Sequence, residues 1–478
     1  MRGPMRSYRE RESQFLWKPF VFQIQVLRKN SRSKQKSRIE IELRNRHGCF
    51  FFLSPLLPNS PPLIPPPQRR GHRTPCAGDW SLSIARREER WRSIRLGDCR
   101  AREREGEAHM PQVQSTPATA TAAGMSAASA PAPRRWEGVD QALERMVLRA
   151  CLDQAPERRR VREAFKDVQL SIDHCLFKGQ YSDIGTKESY EQNSRGVEIF
   201  SKCWYPENHR MKAIVCVCHG YGDTCTFFLD GIARKIASAG YGVFALDYPG
   251  FGLSEGLHGY IPSFDTLVDD ATEHFTKIKE NPEHRGLPSF LFGQSMGGAV
   301  ALKIHFKQPN KWDGAILVAP MCKIADDVVP PWPVQQVLIF MARLLPKEKL
   351  VPNKDLAELA FKEKNKQELC SYNVIAYKDK PRLRTALEML RTTKEIESRL
   401  EEVSLPIIIL HGESDLVTDP AVSKALYDKA KSSDKTLRLY KDAYHAILEG
   451  EPDETIFQVL DDIISWLDQH STKEVPLS

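Results

Sequence analysis

Short apolar runs recur along the second half of the chain, and each ends at turn-forming residues. The runs are AIVCVCHG (213–220), GVFALDYPG (242–250), PSFLFGQS (288–295), GAILVAP (314–320), PIIILHG (406–412) and TLRLY (436–440). Most of them are continuous rather than alternating, which is typical of strands that are buried on both faces. The pattern therefore predicts a mostly parallel central sheet.

Stretches with helical spacing lie between these runs, for example FFLDGIARKIASAG (227–240) and FDTLVDDATEHFTKIKEN (264–281). Strands that alternate with helices predict one α/β domain with helices on both faces of the sheet. Ahead of the sheet, VDQALERMVLRACL (139–152) has helical spacing, and DVQLSI (167–172) and RGVEIFSKCWYP (195–206) read as two strands of an antiparallel start.

A long insertion separates GAILVAP from PIIILHG. Residues 321–400 are too many for a plain connection and contain helical patterns of their own, so we predict a helical lid. Within it, PPWPVQQVLIFMARLLP (330–346) is strongly apolar. One interpretation is a wall of an acyl-chain pocket that also rests on a membrane surface. The other is a cap helix that is buried against the core.

The beginning of the chain differs in composition from the rest. Residues 1–109 hold 24 Lys and Arg against 11 Asp and Glu, whereas the remainder holds 45 against 51. The basic excess lies in the first 109 residues, so it does not indicate that the folded part binds nucleic acid. Charge runs such as SRSKQKSR (31–38) and the proline-rich PLLPNSPPLIPPP (55–67) cannot bury a core. We predict a disordered leader over 1–135 and a folded α/β domain over 136–478.

The segment MPQVQSTPATATAAGMSAASAPAPRR (110–135) is rich in Ala, Ser, Thr and Pro, contains no acidic residue and ends in two arginines. This is the chemistry of a transit peptide, and the alternative is a flexible leader without an address. A start at Met110 would imply a plastid location; otherwise we expect a cytoplasmic protein, membrane-peripheral if the lid binds lipid. CFFFLSPLL (49–57) is far shorter than the roughly 20 residues that span a bilayer.

The eleven cysteines are scattered and form no CxxC pair. The count favours a reducing compartment, without a disulfide framework or a zinc site.

One serine stands among three glycines in LFGQSMGGAV (291–300), where the third run ends and a helix begins. Gly293-x-Ser295-x-Gly297 has the spacing of a nucleophile elbow, in which the serine lies on a strained strand-to-helix turn. Larger side chains two residues on either side would collide with the neighbouring strand and helix. The helix start offers N–H groups to a developing negative charge. By itself this motif is weak, because small residues at such a turn also serve packing; its position at a strand end favours Ser295 as a nucleophile.

A serine hydroxyl needs a base near neutral pH, and the base needs an orienting acid. His445 in KDAYHAIL follows the last predicted strand and comes after the serine in the chain order serine, acid, histidine. The alternative for His445 is an ordinary polar residue at a helix start. The stretch ILHGESDLVTDP offers Glu413, Asp415 and Asp419 as the acid. We choose Asp415, because Asp419-Pro420 is typical of a helix cap.

The remaining requirement is an oxyanion hole. CHGYGDT (218–224) follows the first continuous apolar strand. In this architecture one N–H comes from the residue after the nucleophile, here Met296, and a second from a glycine-bearing loop, where Tyr221 is the candidate. HGxG alone could be a simple turn, and its partnership with the elbow makes it specific.

The motifs HGYGD, DYPGFGLSEGLHGY, GQSMGGAVAL and HGESDLVTDP together carry a family resemblance. They resemble the monoacylglycerol lipase branch of the α/β-hydrolases, most closely its plant members, which are variously described as monoacylglycerol lipases, lysophospholipases or caffeoylshikimate esterases. The likeness runs from about residue 160 to 470.

The resemblance implies hydrolysis of a carboxylic ester through an acyl-enzyme on Ser295, with Asp415 and His445 completing the triad and Tyr221 and Met296 as oxyanion donors. It implies no metal and no organic cofactor. The expected partner is a small lipid or aryl ester, with peripheral membrane contact through the lid and no nucleic acid. Monoacylglycerol or lysophospholipid is the favoured substrate. Caffeoylshikimate or another hydroxycinnamoyl ester, acyl transfer to an alcohol, and ligand binding without turnover stay open as alternatives.

Overall fold

The computed structural model describes three short backbone stretches, 25–27, 40–44 and 50–51, and then residues 136, 138–179, 181, 183–322, 331–351 and 356–472. The chain divides into two units, residues 1–125 and 126–478. In the first unit, β1 (Gln25–Leu27), β2 (Glu40–Arg44) and β3 (Phe50–Phe51) form antiparallel pairs in the order β1-β2-β3. The predicted leader and the segment after Met110 lie mostly outside the described residues and stay predictions.

The second unit contains an eight-stranded sheet in the order β11-β10-β9-β8-β6-β7-β5-β4. Its strands are β4 (Ile184–Gln192), β5 (Glu198–Pro206), β6 (Ile214–Cys218), β7 (Gly242–Leu246), β8 (Ser289–Gln294), β9 (Gly314–Val318), β10 (Ile407–Gly412) and β11 (Lys435–Tyr440). The β4–β5 and β5–β7 pairs are antiparallel and the others parallel. All six apolar runs lie on these strands, so the prediction of a mostly parallel α/β sheet is confirmed.

Helices cover both faces of the sheet. They are α1 (Gln141–Arg149), α2 (Ala155–Leu170), α3 (Cys175–Lys178), α4 (Phe228–Ser238), α5 (Phe264–Glu280), α6 (Met296–Lys307), α7 (Trp332–Leu344), α8 (Leu356–Ala360), α9 (Lys364–Leu369), α10 (Leu383–Glu397), α11 (Pro420–Lys429) and α12 (Asp453–Ser471), with 3₁₀ turns at Cys370–Tyr372 and Leu400–Glu402.

Alternation along the buried strands explains the two layers. In β6, Val215 and Val217 pack with residues of α4 and α12, whereas Ile214 and Cys216 pack with residues of α5 and α6. Every residue of β6 is buried, because successive side chains point to opposite faces and both faces carry helices. This explains why the run is continuous rather than alternating.

The prediction of a strand at DVQLSI (167–172) is wrong. Helix α2 continues to Leu170, and its buried residues include Val161, Phe165 and Gln169. These positions have the spacing of a helix. The apolar residues Val168, Leu170 and Ile172 alternate with polar ones, and this short alternation wrongly indicated a strand. The strand that pairs with β5 is instead β4, whose sequence IGTKESYEQ is mostly polar.

The insertion between β9 and β10 carries α7 to α10, as the sequence predicts for 321–400. Among the residues of α7, all of which the structure describes, only Ala342 is buried. The interpretation of α7 as a helix buried against the core is therefore wrong. None of the helices in the described part of the chain combines the length and apolar composition that a transmembrane span requires.

Candidate active site

Ser295 lies between the last residue of β8 and the first residue of α6. Its φ is 53° and its ψ is −119°, a strained backbone for a residue with a side chain. A Cβ atom at Gly293 would overlap the Gly297 carbonyl, and one at Gly297 would overlap the Cys218 carbonyl. Both elbow positions therefore require glycine, as the spacing of the motif predicts.

Backbone hydrogen bonds hold this strained turn. The Ser295 N–H donates to the Val318 carbonyl at 2.9 Å. The Ser295 carbonyl accepts from the N–H groups of Gly298 and Met321, each at 2.9 Å. The serine is thus anchored to β9 as well as to its own helix, so that its side chain is presented in one direction.

The structure brings Ser295, His445 and Asp415 together. Nε2 of His445 lies 3.0 Å from Oγ of Ser295, and Nδ1 of His445 lies 2.6 Å from Oδ2 of Asp415. Since Nδ1 faces a carboxylate, it carries the ring proton and leaves Nε2 free to accept the serine proton. This is the arrangement of a nucleophile, a base and an orienting acid.

Asp415 has a full set of hydrogen-bond donors. Its Oδ1 accepts from the backbone N–H groups of Val417 at 2.7 Å and Thr418 at 3.0 Å. Its Oδ2 accepts from Oγ1 of Thr418 at 2.8 Å and from Nε2 of His411 at 2.9 Å, besides His445. Burial alone would raise the pKa of Asp415, but the interactions with His445 and His411 outweigh it and hold the pKa far below its usual value. The carboxylate stays ionised.

The other two acids of the same loop are differently placed. Glu413 and Asp419 are exposed, whereas Asp415 is buried. The Asp419 side chain accepts from the N–H of Ala421 at 2.8 Å and caps α11, as its position before Pro420 predicts.

His411 is a neighbour of this site that the sequence reasoning missed. Its Nε2 faces two acceptors, Oδ2 of Asp415 at 2.9 Å and the Thr418 carbonyl at 3.0 Å, and is therefore a donor. Its Nδ1 lies 2.7 Å from Oγ of Ser423. The fully buried imidazole is a further hydrogen-bond partner that fixes the orientation of the acid. The signal in the sequence was the position of His411, which lies near the end of the strand that precedes the acid and opens the motif HGESDLVTDP.

The loop with Tyr221 lies directly beside the serine. A Cβ atom at Gly220 would lie 3.6 Å from the Cβ of Ser295. Among the residues that the structure describes, neither the Tyr221 N–H nor the Met296 N–H donates to a protein acceptor. Both residues therefore have an unused backbone donor: Met296 directly follows Ser295, and Tyr221 directly follows Gly220, which lies close to Ser295.

A buried carboxyl group lies behind the serine, and the sequence reasoning missed it as well. Nε2 of Gln294 donates to Oε1 of Glu449 at 2.7 Å, and Oε2 of Glu449 is buried without a partner among the described residues. Burial, together with the negative charge of Asp223, raises the pKa of Glu449 to about 8. Burial also raises the pKa of Asp223, whose Oδ1 accepts from Nδ2 of Asn373 at 3.3 Å. Glu449 is thus a neutral acid at neutral pH.

Comparison with known proteins places these residues in a family. The family described as serine aminopeptidase, S33, matches residues 209–453. Caffeoylshikimate esterase of Arabidopsis thaliana is 32% identical over 291 residues, which are 61% of this chain and 87% of that protein. Human monoglyceride lipase is 29% identical over 283 residues, 58% of this chain and 89% of that protein.

The solved structures show the same fold. A soluble variant of monoglyceride lipase from Saccharomyces cerevisiae, in complex with a substrate analogue, superposes with a TM-score of 0.55 at 22% identity. The match covers 62% of this chain and 99% of that one. At this identity the similarity concerns the fold and not the substrate.

Proposed function

The chain belongs to the serine aminopeptidase S33 family of α/β-hydrolases and is a carboxylic ester hydrolase, and from this premise we propose that it works through an acyl-enzyme on Ser295. The observation that carries the proposal is the continuous contact from Ser295 Oγ through His445 to Asp415, at 3.0 and 2.6 Å. An unactivated serine would be too weak a nucleophile for ester cleavage near neutral pH.

In the first half of the reaction, Nε2 of His445 takes the Ser295 proton as Oγ attacks the ester carbonyl carbon. The tetrahedral intermediate collapses when the same proton passes to the leaving alkoxide, which departs as an alcohol. In the second half, a water molecule gives a proton to Nε2 of His445 and attacks the acyl carbon. The carboxylic acid product leaves as Ser295 regains its proton from His445. Asp415 holds the tautomer of His445 and stabilises the imidazolium that forms twice.

The N–H groups of Tyr221 and Met296 are the proposed oxyanion donors. Both lie beside Ser295 and both are free of protein acceptors among the described residues. Each donor is worth about 100-fold or more in turnover in comparable sites, because it is already oriented when the negative charge develops.

For the substrate we propose a long-chain monoacylglycerol or lysophospholipid. The exposed apolar side chains of α7 support this choice, since the hydrolysis of a short or polar ester would not need such a surface on the insertion. Each additional buried methylene contributes about 0.8 kcal/mol, or roughly fourfold in binding. Several relatives of the chain are named monoglyceride lipases.

A hydroxycinnamoyl ester is the second candidate. The relative at 32% identity is named caffeoylshikimate esterase. Tyr221 directly follows Gly220, which lies close to Ser295. The Tyr221 hydroxyl is buried without a partner among the described residues, and the centroid of its ring lies 5.9 Å from that of Tyr377. These rings are able to stack on a caffeoyl group and to offer a hydrogen bond to it.

We further propose that α7 rests on a lipid surface. Trp332, Val337, Phe340 and Leu344 are exposed on this helix, and the last three follow one another at helical spacing. An exposed apolar stripe of this kind favours contact with an interface. The protein would then be membrane-peripheral.

The test combines a variant with a substrate series. Ser295→Ala should abolish both ester hydrolysis and covalent labelling by a fluorophosphonate, with unfolding temperature unchanged; hydrolysis that persists above a few per cent would mean another nucleophile. For the native enzyme, kcat/KM is measured for C4 to C18 monoacylglycerols beside caffeoylshikimate. We expect a rise with chain length that levels off. A flat profile with faster caffeoyl turnover would favour the second candidate.

Two further measurements separate the remaining alternatives. An added alcohol that diverts most of the acyl group from water would identify an acyltransferase. Fluorophosphonate labelling without steady-state turnover would identify a ligand-binding protein on the same fold.

A further inference from the structure

The N-terminal helices contact a short segment of the insertion. We name residues 136–170 the strap and residues 371–377 the bridge segment. Nε1 of Trp136 donates to the Ser371 carbonyl at 3.1 Å, and Nε2 of Gln169 donates to the Tyr372 carbonyl at 2.8 Å. The ring of Phe165 lies 6.3 Å from that of Tyr372. Two side-chain donors of the strap thus hold consecutive carbonyls of the bridge segment.

The bridge segment in turn contacts the loop that carries Tyr221. The Tyr377 N–H donates to the Gly222 carbonyl at 2.7 Å, and Nδ2 of Asn373 donates to Oδ1 of Asp223 at 3.3 Å. The rings of Tyr377 and Tyr221 meet edge to face. Gly222 has a φ of +81°, and a Cβ atom there would lie 2.5 Å from the Tyr377 carbonyl oxygen. The approach is so close that only glycine fits.

The strap is itself fixed to the catalytic domain. The guanidinium group of Arg158 is fully buried and donates to the carbonyls of Gly252 at 2.5 Å and Ser254 at 2.6 Å, besides Leu152 of the strap itself at 2.8 Å. Burial lowers the pKa of Arg158 to about 10, so the group stays charged at neutral pH. Such buried charge-assisted hydrogen bonds are among the stronger ones in proteins. The strap is therefore a firm support.

A second contact ties the strap to the start of α10. Asp153 lies between α1 and α2, and its Oδ1 is 2.6 Å from Nη2 of the buried Arg382. Its Nε donates to the His258 carbonyl at 2.8 Å and its Nη1 to the Lys347 carbonyl at 2.7 Å. The bridge segment is thus held on its C-terminal side as well.

We propose that the strap is a positioning element for catalysis: through the bridge segment it holds the Tyr221 N–H in the place where the oxyanion forms. Gln169 of the strap and Asn373 of the bridge segment are the positioning residues. The inference rests on the proposed oxyanion role of Tyr221, and the strap precedes the matched range 209–453. Loops are mobile unless they are held, and a donor displaced by a fraction of an ångström loses much of its value.

The experiment is a double-mutant cycle with Gln169→Leu and Asn373→Leu, each of which removes a donor and keeps most of the side-chain volume. The exposed Lys166 on the same helix supplies the control, Lys166→Gln. For each full-length variant, kcat and KM are measured with a nitrophenyl ester, beside the unfolding temperature.

We expect each single leucine variant to lower kcat about tenfold, less than the roughly 100-fold of a removed donor, with KM unchanged. Because both side chains act along one path, the double variant should be no slower than the slower single variant. Lys166→Gln should match the native enzyme. A merely structural role would lower the unfolding temperature and leave kcat at permissive temperature unchanged.

Two results would overturn the inference: folded leucine variants with kcat within twofold of the native value, or losses that multiply in the double variant. If Gln169→Leu does not fold, Trp136→Phe removes the other donor, retains the ring contact with Phe165 and carries the same expectation. Ser295→Ala separates the two proposals. Activity in Ser295→Ala refutes the acyl-enzyme, whereas an inactive Ser295→Ala beside a fully active Gln169→Leu refutes only the role of the strap.

Discussion

The two halves of the insertion are attached to the molecule in different ways. Helix α7 packs on α10 through a small apolar cluster around Ala342, Leu383 and Leu387. The second half is held by directional polar contacts: Oγ1 of Thr385 donates to the Gly259 carbonyl at 2.9 Å, and a Glu388 oxygen accepts from the Phe264 N–H at 3.2 Å. Polar contacts of this kind specify one geometry, whereas an apolar contact tolerates sliding.

These different attachments lead us to expect that the two halves of the insertion have separate roles. The half that carries Asn373 and Tyr377 belongs with the elbow and the triad, because it contacts the loop beside Ser295. In the half that carries α7, Phe340 is 57% exposed to solvent. Changes in the half that carries Asn373 and Tyr377 should therefore alter kcat. Changes on α7 should alter the KM for a long-chain substrate.

The largest effect is expected at the acid. Asp415→Asn should lower kcat by about 10,000-fold, because an amide favours the unproductive tautomer of His445. Asp419→Asn is the matched control in the same loop: it retains a capping side chain and should keep native kcat. Steady-state kinetics on both variants decide the assignment. If Asp419→Asn were the more damaging change, Asp415 would not be the acid.

The next effect concerns the buried carboxyl group of Glu449 and the dependence of stability on pH. The folded-state pKa of Glu449 is about 8 against an ordinary 4.5. Between these values the unfolded chain loses the proton and the folded protein keeps it, so native stability falls as pH rises from 4.5 to 8. Glu449→Gln carries no such penalty and still offers an oxygen to Gln294. Its stability advantage in urea unfolding should grow to a few kcal/mol by pH 8 and then level off.

An advantage of Glu449→Gln that is the same at pH 5 and pH 8 would contradict this account of a buried, protonated carboxyl group.

A smaller effect is expected on α7. Phe340→Ser and Leu344→Ser should weaken sedimentation with phosphatidylcholine vesicles and raise KM for a long-chain monoacylglycerol several-fold, because each removes exposed apolar area. The kcat for a short soluble ester should not change. The control is Leu439→Ser, which removes an exposed leucine from β11. If either variant also lowered kcat for the soluble ester, α7 would act on turnover, as we expect of the half that carries Asn373 and Tyr377.

The smallest effect is expected at the leader. A chain that begins at residue 136 should keep native kcat and unfolding temperature, because the strap begins at Trp136 and its contacts lie within the second unit. A chain that begins at Tyr181 lacks the strap and should lose turnover even where it folds. If the two truncated chains were equally active, the strap would be as dispensable for turnover as the leader.

What the sequence determined by itself was local. The six buried runs predicted their strands, because a strand covered on both faces must be apolar throughout. The elbow glycines predicted the turn at Ser295, because the crowding involves atoms only a few residues away or on the adjacent strand. The candidates Ser295, Asp415 and His445 were predicted because each follows the end of a predicted strand, in the chain order that this architecture favours. Local alternation also misled, since DVQLSI reads as a strand and lies on a helix.

The tertiary structure alone decided the contacts between distant segments. The mostly polar β4 forms an edge strand only because β5 is there to pair with it. His411 opens the motif HGESDLVTDP and Glu449 lies in none of the quoted motifs, but the role of each depends on which buried groups it meets. An apolar period like that of α7 is the same whether the helix is covered or exposed, so only packing could settle it. The bonds from Gln169 to Tyr372 and from Asn373 to Asp223 span 203 and 150 residues, and no local pattern encodes such pairs.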